Sequence, residues 1–170
     1  QRVPEYKKGT VPIVYVGYGY LKEEHKGERP AEVVGEGLPM LVMRDDKHKL
    51  TLTSMIPQKG ICEYAIKRAA NDIVKILGHG KMIVRTDQEP AILAMVERMK
   101  MLCGDEQIML ENSPVGESAA NGPAEKAVQE TQGMYRTVKC ATEAKYGNKI
   151  EDHPALTWLP RHVSANMMRY

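Results

Sequence analysis

The spacing of apolar residues changes once along this chain, and that change limits the folds open to it. Up to position 56 the apolar residues gather in short β-branched and aromatic runs. Val11 to Leu21 (VPIVYVGYGYL), Leu38 to Arg44 (LPMLVMR) and Lys49 to Ile56 (KLTLTSMI) are each predicted to be strands. Lys22 to Gly37 is charged and interrupted by Gly27, Pro30 and Gly35, which is loop composition. Asp45-Asp46-Lys47-His48 is turn composition, so the opening third is an antiparallel meander. Beyond position 56 helical spacing takes over. Tyr64, Ile66, Ala69, Ala70, Ile73, Val74 and Leu77 supply one apolar helical face, with Gly78 and Gly80 as stop signals.

Strands and helices then alternate. Lys81 to Arg85 is a short buried-type strand, and Pro90 opens a helix running through Ile92, Leu93, Val96 and Met99 to about Leu102. Gln107 to Leu110 is a fifth strand, and Asn112 to Gly122 is small, polar loop sequence. Pro123 opens a long helix reaching about Lys145, closed by Gly147 and Asn148, and a last helix starts near Pro154. Three meander strands plus two further strands, interleaved with helices, predict an α/β chain with a mixed five-stranded sheet flanked by helices.

With 170 residues, 42% hydrophobic and 27% charged, the chain is of a size and composition for one globular domain. Residues 1–10 read as a polar lead-in linker and 11–170 as the domain, a segment of a longer polyprotein. No apolar run approaches the ~18 residues of a membrane span, which excludes a membrane role. A net charge of +2 gives no bulk argument for nucleic-acid binding, so any such surface must arise from local placement. Three scattered cysteines without a C-x-x-C pair point to a reduced intracellular setting and do not support zinc binding. His25, His48, His79, His153 and His162 show no paired metal-ligand spacing.

Two acids stand at chemically suggestive positions. Asp87 follows the fourth strand and precedes a helix, where open α/β sheets place ligands; the same position suits an ordinary helix cap. Glu125 falls in the first turn of the long helix, where an acid also complements the helix dipole. Taken singly, each reads first as a helix-terminus residue.

Together with the order of elements, these stretches resemble the integrase catalytic core of retroviruses and copia-type retrotransposons. The resemblance runs from about Val11 to Tyr170. It rests on TDQEPAI at Thr86–Ile92, SPVGESAANGPAEKAVQ at Ser113–Gln129 and HPALTWLPRH at His153–His162, with Asp87 and Glu125 38 positions apart. It implies the RNase H-like fold and DNA integration by metal-dependent phosphodiester strand transfer. It also implies a site in which three carboxylates hold two Mg²⁺ (or Mn²⁺) ions. Paired hard cations can activate the attacking hydroxyl and stabilise the leaving oxygen. Carried over, Asp87 and Glu125 are the second and third catalytic and metal-binding acids. DNA, both element ends and target, is the implied partner. Self-association as a homodimer is expected, without a small-molecule cofactor, in the nucleus or a cytoplasmic element particle.

The first acid is missing. The strand reads Tyr15-Val16-Gly17-Tyr18 where the family pattern ends in an aspartate followed by an aromatic. Glu23 and Glu24 lie beyond the strand and Asp45 and Asp46 at the far turn of the meander, so neither pair substitutes for it. The expectation is weakened metal binding and impaired strand transfer. On the long helix, Ala124, Val128, Thr131, Tyr135 and Val138 form a core face. Beside it run Glu125, Gln129, Gln132, Arg136 and Lys139, which with Lys126 form a nucleic-acid-binding surface if the resemblance holds and a solvated face if it does not. Two alternatives to an impaired integrase core stay open: a catalytically dead relic that binds DNA or self-associates, and an RNase H-like nuclease unrelated to integration.

Overall fold

A computed structural model of the chain describes residues 11–21, 37, 39–104, 106–112, 121–150 and 153–168. The lead-in at 1–10, most of the predicted loops at 22–37 and 112–122, and Glu23 and Glu24 lie outside them. Five strands, β1 (Ile13–Tyr20), β2 (Pro39–Asp45), β3 (Thr51–Met55), β4 (Met82–Thr86) and β5 (Ile108–Asn112), form one sheet in the order β3-β2-β1-β4-β5. β2 is antiparallel to β1 and β3, whereas β4 is parallel to β1 and β5 parallel to β4. Four helices, α1 (Glu63–Asp72), α2 (Pro90–Cys103), α3 (Gly122–Tyr146) and α4 (Ala155–Met167), accompany it. This is the mixed five-stranded α/β sheet that the residue pattern predicts.

The alternation of side chains along β1 divides the core in two. Val14 and Val16, with Leu41 and Met43 of β2, face the layer built by Ile66, Ala69 and Ile73 of the α1 region and by Ile92, Met95 and Met99 of α2. On the opposite face Met40 and Val42 pack with Ala127 of α3. Glycine at 19 lets α3 lie close to the sheet: a Cβ there would stand 2.6 Å from Met40 Cε and 2.7 Å from Val128 Cγ1.

The first helix does not run as an uninterrupted α-helix. After Asp72 the backbone widens into a π-helical turn, Ile73–Leu77, which ends at Gly78 in the left-handed region (φ 63°). Ile73 and Leu77 are buried, but Val74 and Tyr64 are 52% and 57% exposed. Both were expected on the apolar face. The stripe that meets the core is narrower than the apolar run and is centred on Ala65, Ile66, Ala69, Ala70 and Ile73, so Tyr64 and Val74 fall at its margins.

Asp72, by contrast, is buried and receives both guanidinium nitrogens of Arg161 from α4, each at 2.7 Å. α4 also meets β3, where the Thr53 N–H donates to Ser164 Oγ at 3.3 Å. Among the described residues no helix is long and apolar enough to cross a membrane.

Candidate active site and a separate metal-ligating cluster

The parallel pairing of β1 and β4 sets Val16 opposite Thr86, so Gly17 and Asp87 are the next residues along the two neighbouring segments. Asp87 is half-buried immediately beyond β4. Its Oδ1 accepts the Glu89 N–H at 3.2 Å, holding the chain for its entry into α2, which Pro90 opens. The cap position that the sequence allowed Asp87 belongs instead to Glu89, two residues on, which makes no side-chain cap bond.

The start of α3 closes over the same place. A Cβ at position 17 would lie 3.3 Å from the Ala124 Cβ and 4.0 Å from Asn121 Nδ2. Glu125, the residue after Ala124, is exposed in the first turn of the helix, and Asn121 is buried with its Oδ1 lacking a hydrogen-bond partner. The fold thus brings the Gly17 backbone, the residue after β4 and the amino end of α3 to one end of the sheet.

A site for two ions held by three carboxylates does not fit these residues. Position 17 supplies no side-chain oxygen, and an added Cβ there would meet the Ala124 methyl at 3.3 Å. Asp45 does not replace it, because it pairs with Val14 towards the opposite end of β1.

A cation that sequence reasoning missed stands on the flank of this region. Lys59, in the β3–α1 connection, pairs with Glu89 at 2.8 Å and lies 5.2 Å and 5.0 Å from the ring centres of Tyr18 and Tyr20. Burial lowers the affinity of Lys59 for its proton, but the Glu89 carboxylate and Tyr20 outweigh it and hold the ammonium above its ordinary range. Burial pushes the Tyr18 phenol up, opposed by the Gly60 N–H that donates to its oxygen at 3.0 Å. Nothing in the QKG sequence around Lys59 marks it as part of this region; its position follows from the tertiary fold.

Along α3, Ala124, Ala127 and Thr131 are the buried residues, while Val128, Tyr135 and Val138 of the expected core face are only half-buried. Lys126, Gln129 and Arg136 are exposed, and Gln132 and Lys139 are half-buried. Gln132 donates its amide to the Tyr20 carbonyl at 2.7 Å, tying the helix to the end of β1. Lys126 faces Glu130 at 3.9 Å.

Three metal-ligating side chains do converge among the described residues, but elsewhere. Asp45, His48 and His79 place one donor atom each within 4.8 Å of the others, a set able to hold a divalent metal. Sequence spacing did not pair the two histidines, because 31 positions separate them; the alignment of the β2–β3 turn with the approach to β4 brings them together.

No family model and no curated protein sequence matches the chain. Among solved structures, the chain is similar to the catalytic core domain of BIV integrase, with a TM-score of 0.54 and 12% sequence identity, over 91% of this chain and 81% of that one. At that identity the likeness establishes a shared fold: the mixed sheet and its helices have the RNase H-like, integrase-core architecture.

Proposed function

We propose that the chain is the catalytic core of a retrotransposon-type integrase, able to bind DNA and impaired in strand transfer. The observation that carries this reading is the meeting of positions 17, 87 and 124 at one end of the sheet. The TDQEPAI and GPAEKAVQ stretches imply acids at 17, 87 and 125, and this meeting supports that reading, with glycine in the place of one acid and Glu125 the residue after Ala124. The copia-type motifs support a retrotransposon origin, and a polyprotein segment with its domain at 11–170 accords with them.

In this reading Asp87 and Glu125 are the surviving acids; with no carboxylate at position 17 they would hold Mg²⁺ or Mn²⁺ only weakly. Lys126, Gln129, Arg136 and Lys139 contact DNA phosphates, which position a duplex without reading its sequence. Gln132 contributes by fixing α3 against β1. Dimerisation and a nuclear or particle-associated location belong to the same proposal.

The deciding experiment compares Mg²⁺- and Mn²⁺-dependent nicking and joining of DNA by the chain and by Gly17→Asp, with Gly17→Asp/Asp87→Asn as control. Activity gained in Gly17→Asp and lost in the control is the expected result. Equal activity in the chain and Gly17→Asp would overturn the impairment. DNA binding without activity in any variant would favour the relic reading.

A further inference from the structure

We propose that Asp45, His48 and His79 form a binding site for a zinc-class transition-metal ion, separate from the candidate active site. The Asp45 carboxylate is fully buried, and its Oδ2 lies 2.7 Å from His48 Nδ1 and 3.1 Å from His79 Nε2. The second contact is short but not aligned as a hydrogen bond. The Nε2 of His79, whose side chain is only 4% exposed, is therefore a buried polar atom without a hydrogen-bond partner. A buried nitrogen left in that state is costly, and an ion at the shared apex of the three donors would satisfy it.

The donor set selects the metal. Two imidazole nitrogens and one carboxylate oxygen suit Zn²⁺ and its neighbours, whereas Mg²⁺ prefers oxygen ligands and retains water. Donors ~2.0–2.2 Å from a tetrahedral Zn²⁺ stand roughly 3.4 Å apart, within the 4.8 Å that bounds these atoms. The two imidazoles stack at 10°, so one must turn for both nitrogens to aim at a common ion. His48, 45% exposed, is the one with room to turn, and its exposure leaves a fourth position open to water. Backbone N–H groups of Lys47 and His48 already orient the carboxylate, at 3.1 Å and 3.3 Å, as an outer shell does for a metal ligand.

The site joins two segments far apart in sequence. Asp45 is the last residue of β2, His48 lies in the β2–β3 turn, and His79 sits between Gly78 and Gly80 on the approach to β4. Asp45 pairs with Val14, three residues before Gly17 on β1 and thus roughly 10 Å along the strand. An ion here would clip the carboxyl end of β2 and its turn to the approach to β4 and take no part in chemistry at Asp87 and Glu125.

The test uses the untagged full chain titrated with Zn²⁺ against a chromogenic chelator, with Co²⁺ absorption in the visible as a report on coordination. One equivalent of Zn²⁺, four-coordinate Co²⁺ bands and a raised unfolding midpoint are expected. Asp87→Asn/Glu125→Gln and Cys62→Ser/Cys103→Ser/Cys140→Ser should retain binding, and His48→Ala should bind at least tenfold more weakly. Because His48 is half-exposed, its loss should leave the metal-free fold intact, as circular dichroism would verify; His79→Gln is the second, buried test. Absence of stoichiometric binding, unchanged affinity in both histidine variants, or loss of binding in the Asp87/Glu125 variant would each overturn the proposal.

Discussion

Gly17 and Ala124 are packed so closely that a methyl group on the glycine would stand 3.3 Å from the alanine Cβ. The missing acid and the first turn of α3 are therefore coupled, and restoring an aspartate requires the helix to yield by a few tenths of an ångström. Gly17→Ala should destabilise the chain more when residue 124 is alanine than in an Ala124→Gly background. A coupling of about 0.5 kcal/mol or more is expected. A double-mutant cycle of urea unfolding measures it, and additive effects would show that the contact is relaxed.

Removal of Arg161 should be among the most damaging single changes. Arg161→Ala leaves the Asp72 carboxylate, 1% exposed, with only the distant Arg68 Nε at 3.9 Å in place of its two-pronged partner. The expected loss is about 3–5 kcal/mol, and much of it should return when Asp72→Leu and Arg161→Met replace both charges with apolar groups. Urea midpoints of the three proteins decide this.

The alkaline limb of stability should depend on Tyr18 and Lys59. Both bind their protons more tightly in the folded chain than their ordinary values. Folded protein therefore holds more protons than unfolded protein once the pH passes about 10, the unfolded range of both groups. By linkage, their contribution is present below that pH and is lost as pH rises through the folded values. Unfolding midpoints should be insensitive to these groups from pH 8 to about 10 and fall above it, and Tyr18→Phe should flatten that fall.

Arg136→Glu with Lys139→Glu should weaken DNA binding uniformly across sequences and reduce the salt dependence of the affinity. Fluorescence anisotropy at several salt concentrations reads both quantities. An unchanged slope would assign the α3 face to solvent.

The cysteines should differ in reactivity. Burial pushes the Cys103 thiol up, while Cys140 is exposed. A thiol reagent at mildly alkaline pH should therefore modify Cys140 well before Cys103, as peptide mapping would show.

The strands and helices were legible because their signals are local. β-branched runs, Pro90 at a helix start and Gly147 past a helix end each act over a few residues, whereas the parallel pairing of β4 with β1 and of β5 with β4 comes from the fold. What was not legible depends on distant packing. Asp72 looks like a surface acid until Arg161 arrives from α4, 89 positions away. Val74 looks like core until the helix shows which stripe it presents. His48 and His79 gain meaning only when two loops align beside Asp45, and Lys59 only when the β3–α1 connection folds back over Tyr18 and Tyr20. The acids at 87 and 125 were visible as positions, and what the fold adds is their common end of the sheet with Gly17.

The contact between Thr53 and Ser164 has a consequence for how copies of this chain can meet. β3 ends the sheet on one side, and α4 lies across it there, so a backbone amide that could seed pairing with another molecule is already satisfied. β5 ends the sheet on the other side, with Met109 47% and Leu110 37% exposed. The sheet thus has one sealed margin and one that is apolar at its surface, so unwanted strand-to-strand growth would start from β5. A charged residue introduced at Met109 would be the economical guard against it.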